Sequence, residues 1–243
     1  HSTNMTSLSL PILCVCLMFS AQLHSASGFG LSLTRPSFLK VLAGSTITQQ
    51  LQLPPILLSD ASDAATAETT KIKITLDNSG DITPLTATLN RSWSPQGYDH
   101  FLDLVKSGYY TNAPIFRVIP GFVAQFGLST DPSVTAKNSK AIKDDPKGTG
   151  PGNQKYTLTF ATAGPNTRTT QIFINFGDNI FLDNQGFTPF GKLDEFDVTK
   201  IYSGYGEGAP RGKGPDQNAL RIKGEEYMST FPKMTRIKSI EVQ

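Results

Sequence analysis

The stretch of sequence that most constrains the fold is FRVIPGFVAQFG, residues 116–127. Two apolar runs here, at 115–119 and 122–126, are typical of short strands. Because side chains alternate between the two faces of a strand, Arg117 and Ile119 share one face of the first strand, and their apolar neighbours take the other. The sequence therefore predicts two successive strands, the first of which carries an arginine on one face.

Outward from this stretch, the chain from about residue 68 reads as short strands separated by dense turns. Further strands are predicted at 71–76, 85–89, 157–162, 171–175, 190–193 and 236–242. One helix is predicted to start at Pro95 with Ser94 as its N-cap and to end at Gly108, and a second is predicted near 195–202. With 21 glycines, 16 prolines and only 17% charged residues, the composition favours an antiparallel barrel or sandwich over a helical bundle.

The composition also excludes several kinds of chemistry. A net charge of +2 gives no electrostatic reason to expect a nucleic acid as partner. The only two cysteines, Cys14 and Cys16, lie in an N-terminal apolar run, so no thiol nucleophile is expected in the folded body. His100 is the only histidine beyond residue 24, which argues against a zinc site and against a Ser-His-Asp triad. We therefore expect neither a metal nor a cofactor.

The N-terminal part of the chain reads as a targeting region. Residues 8–19, LSLPILCVCLMF, form an apolar run that is shorter than the about 20 residues needed to cross a bilayer, and it fits the core of a secretory signal peptide. Small residues follow at 25–28, as at a cleavage site. We expect three segments: residues 1–28 as leftover residues and signal peptide, 29–67 as a disordered transit or linker segment, and 68–243 as the folded domain.

Two destinations are open for this region. Residues 26–29, ASGF, resemble the signal-peptide junction of algae whose plastids lie inside the secretory system. Residues 34–40, TRPSFLK, resemble a twin-arginine transport motif with a proline in place of the second arginine. Both resemblances favour the thylakoid lumen of an algal plastid, and the signal peptide alone favours secretion or the ER lumen. Stable membrane insertion is expected in neither case.

In order and spacing, the motifs of the folded body resemble the cyclophilin family of peptidyl-prolyl cis-trans isomerases. These motifs are FRVIPGFVAQFG at 116–127, FATAGPNT at 160–167, QIFIN at 171–175, FLD at 181–183 and FGKL at 190–193. The helix before them, followed by Tyr109 and Tyr110, also matches, and the resemblance covers about residues 70–243. It implies a mainly β fold, namely a closed eight-stranded antiparallel barrel capped by two α-helices.

The resemblance implies three catalytic residues, which are Arg117, Phe122 and Gln125. Gln125 would bind a substrate carbonyl and help to orient Arg117. The residues implied in substrate binding are Val123, Phe160, Ala161, Thr162, Phe173, Phe181, Leu182 and Phe187. The apolar ones would wall a slot for the proline ring, with Phe160 at its edge, while Ala161 and Thr162 would offer backbone hydrogen bonds to the substrate strand.

Isomerisation suits a folded body without a thiol or a histidine base. Rotation about an Xaa-Pro bond crosses a barrier of about 18–20 kcal/mol that comes from amide resonance, and no covalent bond is made or broken. A catalyst has only to favour the twisted amide, in which the prolyl nitrogen regains a lone pair. A permanently charged guanidinium in an apolar cleft is a good hydrogen-bond donor to that nitrogen.

Four positions depart from the pattern of the family. Phe181 stands where many cyclophilins have a tryptophan, and the loss of an indole N–H predicts weakened binding of the cyclic-peptide inhibitor cyclosporin. The pocket histidine of the family is missing, and Phe187 lies nearest to its position. Val123 replaces the usual methionine and Phe126 replaces a glycine. None of these changes touches Arg117, so we expect activity to persist with a shifted substrate preference.

The leading interpretation is a monomeric isomerase that acts on proline-containing peptides or unfolded proteins. The alternative is a non-catalytic cyclophilin-fold chaperone or assembly factor that binds proline-containing segments. Arg117 and Gln125 favour the enzyme, because a protein that only binds would not need them. A third class is a small-molecule carrier barrel of the lipocalin type, which would need a large apolar interior instead of one filled by side chains. Each residue also has a simpler interpretation, since an arginine in a strand is commonly a surface residue and a phenylalanine is commonly core.

Other motifs carry less weight. Residues 204–209, GYGEGA, fit a loose dinucleotide-binding pattern but follow a predicted helix instead of a strand. Residues 208–214, GAPRGKG, look like a phosphate-binding loop but lack its spacing. Asp144 and Asp145 are interpreted as a solvated pair in a loop.

Overall fold

The computed structural model describes residues 68–243, which begin with a long β-hairpin. Its strands, β1 (Thr69–Asn78) and β2 (Asp81–Asn90), pair along their whole length. In β1, the side chains of Ile72, Ile74 and Leu76 are buried and the residues between them are more exposed, as period-two alternation requires. The strands predicted at 71–76 and 85–89 are both confirmed.

The remaining elements follow in chain order. The strands are β3 (Ala113–Pro114), β4 (Arg117–Ile119), β5 (Val123–Phe126), β6 (Thr157–Phe160), β7 (Ile172–Asn175), β8 (Pro189–Leu193) and β9 (Arg236–Val242). The helices are α1 (Pro95–Lys106), α2 (Pro132–Lys137), α3 (Gln217–Lys223) and α4 (Glu225–Met228). Every predicted strand is present, with ends that differ by a few residues.

The strands form one antiparallel sheet in the order β3-β9-β1-β2-β8-β6-β7-β5-β4. The mainly β, antiparallel fold is thereby confirmed. The closed eight-stranded barrel is not: the described residues form nine strands in an open order, with β3 at one end and β4 at the other. Only Ile115 and Phe116 separate these two end strands, and Pro114 has no N–H to continue a ladder. The chain therefore passes from one edge strand to the other, and the two edge strands do not form a hydrogen-bonded ladder with each other.

Helix α1 buries one face against the inside of the sheet. Tyr98, Phe101, Leu104 and Val105 are all buried, and the rings of Phe101 and Phe190 lie 5.0 Å apart between centroids. Full burial of one such side chain contributes about 1.5–3 kcal/mol. The predicted start of the helix at Pro95 is confirmed.

The N-terminus of α1 is capped by a residue from a distant loop. The Ser94 side chain makes no cap hydrogen bond to the helix and instead donates to Asp145 Oδ2. Asp145 accepts the backbone N–H groups of Gln96 at 2.8 Å and Gly97 at 2.9 Å, and it pairs with Arg168 Nη1 at 2.8 Å. The interpretation of Asp145 as solvated was therefore wrong: its carboxylate satisfies helix donors that would otherwise lack partners.

Two helix predictions need correction. The helix expected near 195–202 is only a short 3₁₀ turn at Val198–Lys200, and β-branched Val198 and Thr199 are poor helix formers. The described residues contain four α-helices instead of two capping helices. The missed helices α3 and α4 pack in a second apolar cluster, whose buried members are Phe116, Leu128, Leu220, Met228 and Met234. Its member Phe116 directly precedes β4, the strand that carries Arg117.

The predictions of a signal peptide and a transit segment fall on residues 1–67, which lie outside the described residues. Within residues 68–243, no helix is long and apolar enough to cross a membrane.

Candidate active site

The cross-strand register brings three of the predicted site residues, Arg117, Gln125 and Phe173, into one row. Arg117 on β4 is paired with Gln125 on β5, Gln125 with Phe173 on β7, and Phe173 with Thr159 on β6. Their neighbours along the strands, such as Val118 and Ala124, belong to the main core instead. The row therefore lies on the face of the sheet opposite the core, as the alternation in the sequence predicted for Arg117.

Arg117 is buried and held by polar groups on two sides. Its side chain is 9% exposed, and its Nε and Nη2 donate to Glu207 Oε1 at 2.6 Å and Oε2 at 2.8 Å. Its Nη1 donates to Gln125 Oε1 at 3.3 Å, and Gln125 Nε2 in turn donates to Gln171 Oε1 at 2.8 Å. These contacts use three of the five guanidinium N–H donors, so one donor on each Nη remains for a ligand.

Glu207 is a site residue that the sequence analysis missed. Burial of its carboxyl opposes ionisation, but the hydrogen bonds and charge of Arg117 outweigh burial and lower the pKa of Glu207. The only signal in the sequence was a lone acidic residue inside the glycine-rich stretch 204–214. Because Glu207 is 90 residues from Arg117, no local pattern could have paired the two.

A half-buried aromatic ring lies beside the guanidinium, and an exposed aromatic ring stacks on it. Arg117 Cζ lies 5.7 Å from the centroid of the Phe122 ring, within the range of a cation–π contact. Phe122 stacks on Phe181 with a centroid distance of 6.1 Å and an interplanar angle of 16°, and Phe181 is 54% exposed. Phe122 and Phe181 together form an apolar rim, and Arg117 lies against the Phe122 end of it.

The other apolar site residues are buried below this rim. Phe173 and Phe187 meet edge to face with centroids 5.7 Å apart, and Val123 and Leu182 are buried as well. None of these four residues belongs to the main core cluster between the sheet and α1. Phe173 is the cross-strand partner of Gln125, and Val123 lies two residues before Gln125 on the same face of β5. The Phe187 N–H donates to the Leu182 carbonyl at 3.4 Å. These four residues are called the apolar floor.

No group of His, Cys, Asp and Glu side chains within residues 68–243 is arranged to hold a metal ion. The arrangement is instead that of a charged hydrogen-bond donor above an apolar floor. Comparison with known proteins agrees with this geometry, since the family described as cyclophilin type peptidyl-prolyl cis-trans isomerase/CLD matches residues 71–207. The chain belongs to the cyclophilin family.

Two curated cyclophilin relatives illustrate the similarity. Peptidyl-prolyl cis-trans isomerase cyp18 of Streptomyces antibioticus is 35% identical over 133 residues, which cover 51% of this chain and 80% of the relative. Peptidyl-prolyl cis-trans isomerase A of Dickeya dadantii is 33% identical over 144 residues, which cover 57% of this chain and 74% of the relative.

A solved structure supports the cyclophilin fold. The chain is similar to the cyclophilin type peptidyl-prolyl cis-trans isomerase of Cryptosporidium parvum crystallised in the presence of the dipeptide Ala-Pro. The TM-score is 0.51 and the identity 23%, and the match covers 71% of this chain and 98% of the other. At this identity the likeness establishes the fold alone.

Not every residue assigned to the cyclophilin slot lies there. Phe160 is buried in the main core, where its ring lies 5.1 Å from Phe190 and 5.8 Å from His100. This corrects its placement at the edge of the slot: by alternation, Thr159 takes the site face of β6 and Phe160 takes the core face. The backbone N–H of Ala161 donates to the Gln171 carbonyl at 2.9 Å, so only its carbonyl could serve a substrate.

Thr162 lies in the turn that follows β6. Its hydroxyl contacts the Thr167 hydroxyl at 2.8 Å, and this pair holds the turn together. The structure therefore places Ala161 beside Gln171, whose side chain accepts from Gln125, and places Thr162 in the turn that follows.

The cyclophilin's single described histidine lies away from this site and is expected to affect stability instead. His100 Nε2 is 2.8 Å from the Thr169 carbonyl, and burial lowers the pKa of His100 despite that hydrogen bond. A lowered pKa means that the unfolded chain takes up the proton first, so stability falls as pH decreases through about 6.5 towards the folded-state pKa.

We therefore expect His100→Gln to flatten the dependence of the unfolding free energy on pH between about 8 and 5. Urea unfolding of both proteins at several pH values checks this, and isomerase assays of the same samples serve as the control because His100 is outside the site. An unchanged pH dependence in the variant would contradict the assignment.

Proposed function

We propose that the chain is a peptidyl-prolyl cis-trans isomerase that catalyses rotation about Xaa-Pro bonds in peptides or unfolded proteins. The observation that carries the proposal is the buried Arg117 guanidinium, which has N–H donors to spare and lies 5.7 Å from the Phe122 ring. The family to which the chain belongs and the names of both relatives support the same reaction.

In this mechanism, the proline ring occupies the apolar slot while Arg117 acts on the amide. Val123, Phe173 and Leu182 hold the ring below the Phe122 rim, and burial of the ring anchors one side of the rotating bond. A free N–H of Arg117 donates to the prolyl nitrogen as it becomes pyramidal. This bond exists only in the twisted state, so it lowers the barrier without strengthening ground-state binding.

Gln125 has two roles in the proposed reaction. Its Oε1 accepts from Arg117, and one Nε2 hydrogen is used by Gln171, which fixes the orientation of the amide. The second Nε2 hydrogen is then available for a substrate carbonyl. No group in this sequence of events gains or loses a proton, which is consistent with a site that lacks histidine.

A protease-coupled assay with a chromogenic Xaa-Pro peptide tests the function. The full chain should accelerate cis-to-trans conversion in proportion to its concentration. The alternative, a non-catalytic chaperone or assembly factor, predicts the uncatalysed rate together with suppressed aggregation of an unfolded client. A rate equal to the uncatalysed rate would therefore reject the enzyme, whatever the outcome of the aggregation assay.

Cyclosporin binding tests the proposed wall of the slot. We expect weak binding by the wild type, because Phe181 offers no N–H donor, and about five- to tenfold tighter binding by Phe181→Trp, which adds one hydrogen bond. A fluorescence titration of both proteins measures the difference. Phe181→Leu is the control, since it changes the side chain at the same exposed position without adding a hydrogen-bond donor. Equal affinities of the tryptophan variant and the wild type would contradict this role of Phe181.

We also propose that residues 1–67 direct the chain into the secretory pathway, with the plastid lumen and secretion or the ER lumen as the two destinations. The support is the sequence alone: an apolar run at 8–19 and small residues at 25–28. N-terminal sequencing of the native protein separates the outcomes, because one cleavage gives a start near Phe29 and two give a start near Ala65. Gel filtration of the same sample tests the expected monomer.

A further inference from the structure

A glycine-rich loop, residues 203–215, places a carboxylate against the reactive arginine. The loop runs beside β4, the end strand of the sheet, and the Val118 N–H donates to the Gly206 carbonyl at 3.2 Å. The next residue is Glu207, whose carboxylate spans Nε and Nη2 of Arg117. The loop thus supplies one of the two polar groups that hold the guanidinium, and Gln125 supplies the other.

The Glu207 carboxylate is itself held in place. Its Oε1 also accepts the Gly208 N–H at 2.9 Å, and its backbone carbonyl accepts the Gly214 N–H at 2.8 Å. A Cβ on Gly212 would lie 2.2 Å from that carbonyl oxygen, so the loop can close this tightly only with glycine there. Glu207 is therefore a fixed acceptor instead of a mobile surface carboxylate.

The pairing decides which edge of the guanidinium faces the slot. Arg117 has several rotatable bonds, and Gln125 contacts only Nη1 through a 3.3 Å hydrogen bond. The two bonds to Glu207, at 2.6 and 2.8 Å, fix the plane and rotation of the group as a bidentate pair. They leave the free N–H groups on the Nη atoms, away from the Glu207 edge.

We propose that Glu207 is a positioning residue for Arg117 in the isomerase reaction, a role that rests on the proposed function. It touches the guanidinium and not the substrate, and it acts by holding the free N–H donors towards the prolyl nitrogen. Because misplacement of a reacting group by about 1 Å can cost about a hundredfold in rate, loss of this pair is expected to lower kcat more than it changes KM.

The first test compares Glu207→Gln with the wild type in the peptide assay. The amide replaces one acceptor by a donor that faces an N–H of Arg117, so the bidentate pair cannot form. We expect kcat/KM to fall about tenfold, with KM changed less than about twofold. Lys213→Gln, in the same loop but exposed and outside the site, is the matched control and should keep full activity.

Glu207→Asp covers the case in which the glutamine variant folds poorly. It keeps the negative charge that balances the buried Arg117 but is one methylene too short to span both nitrogens. An intermediate loss of about threefold is expected. Wild-type rates in both variants, or higher rates, would overturn the proposal.

A double-mutant cycle separates positioning from general damage. If Glu207 acts only through Arg117, then Arg117→Ala/Glu207→Gln should match Arg117→Ala within about twofold, measured at high enzyme concentration. A further tenfold loss in the double variant would mean that Glu207 acts independently of Arg117, and the proposal would be wrong. An inactive wild type would instead reject the isomerase function itself, so the two failures are distinguishable.

Discussion

Arg117→Ala is expected to lower kcat/KM for an Xaa-Pro peptide by about 10²- to 10³-fold while the fold is retained. The loss should appear in kcat, because the hydrogen bond to the prolyl nitrogen forms only in the twisted amide. Binding of the ground-state peptide depends on the apolar floor, which includes Phe173 and Leu182 and is untouched by the substitution. The protease-coupled assay measures both constants, and NMR titration of the peptide gives binding separately.

Two controls make the Arg117 result specific. Arg91→Ala removes another arginine with a bidentate partner, Asp99 at 2.8 Å, but this pair is exposed and lies outside the site. It should leave kcat/KM unchanged, since exposed ion pairs contribute little. Near-ultraviolet circular dichroism of Arg117→Ala checks the packing around Glu207, which loses its partner. If Arg117→Ala kept its rate within about threefold, the mechanism proposed for this site would fail.

The second large effect concerns stability. Asp145→Ala is expected to lower the free energy of unfolding by about 3–5 kcal/mol, because it breaks a buried ion pair and leaves the Arg168 guanidinium without its closest carboxylate. Both side chains of this pair are at most 4% exposed. The same substitution removes the acceptor for two backbone N–H groups at the start of α1.

The lack of a side chain at Gly97 lets this network approach the first turn of α1. A Cβ at this position would lie 2.6 Å from Ser94 Oγ and 3.2 Å from Arg168 Nη1, so only glycine leaves room for both. The Asp145 network therefore joins the loop before β6, the segment before β7 and the first turn of α1. Its loss is expected to loosen all three together.

Asp144→Asn is the matched control for Asp145→Ala. Asp144 is the adjacent carboxylate, but its side chain is 38% exposed and lies 3.5 Å from Arg168 Nε. We expect a loss below about 1 kcal/mol for this control. Urea unfolding monitored by fluorescence measures both variants. Equal losses at the two positions would show that the buried pair is not what stabilises this region.

Much of the fold and of the site followed from local patterns. The alternation around Arg117 predicted its face correctly, and each of the eight predicted strands was found within a few residues, because short apolar runs bounded by turn residues indicate strands. The two-residue strand β3 was not predicted. The helix predicted near 195–202 was wrong because β-branched Val198 and Thr199 disfavour an α-helix, and only a short 3₁₀ turn forms at Val198–Lys200. The placement of Phe160 was wrong because the family resemblance identifies the segment that contains Phe160 but not the face of β6 on which its side chain lies.

The amino-acid sequence by itself determined the family, the antiparallel strands and the face of β4 on which Arg117 lies, because these depend on motifs and alternation within a few residues. Only the tertiary structure decided what surrounds that arginine and what caps α1. Glu207 meets Arg117 across 90 residues, and Asp145 meets Gln96 across 49. Which polar groups meet out of water depends on how the sheet and its loops pack, and no short stretch of sequence records that packing.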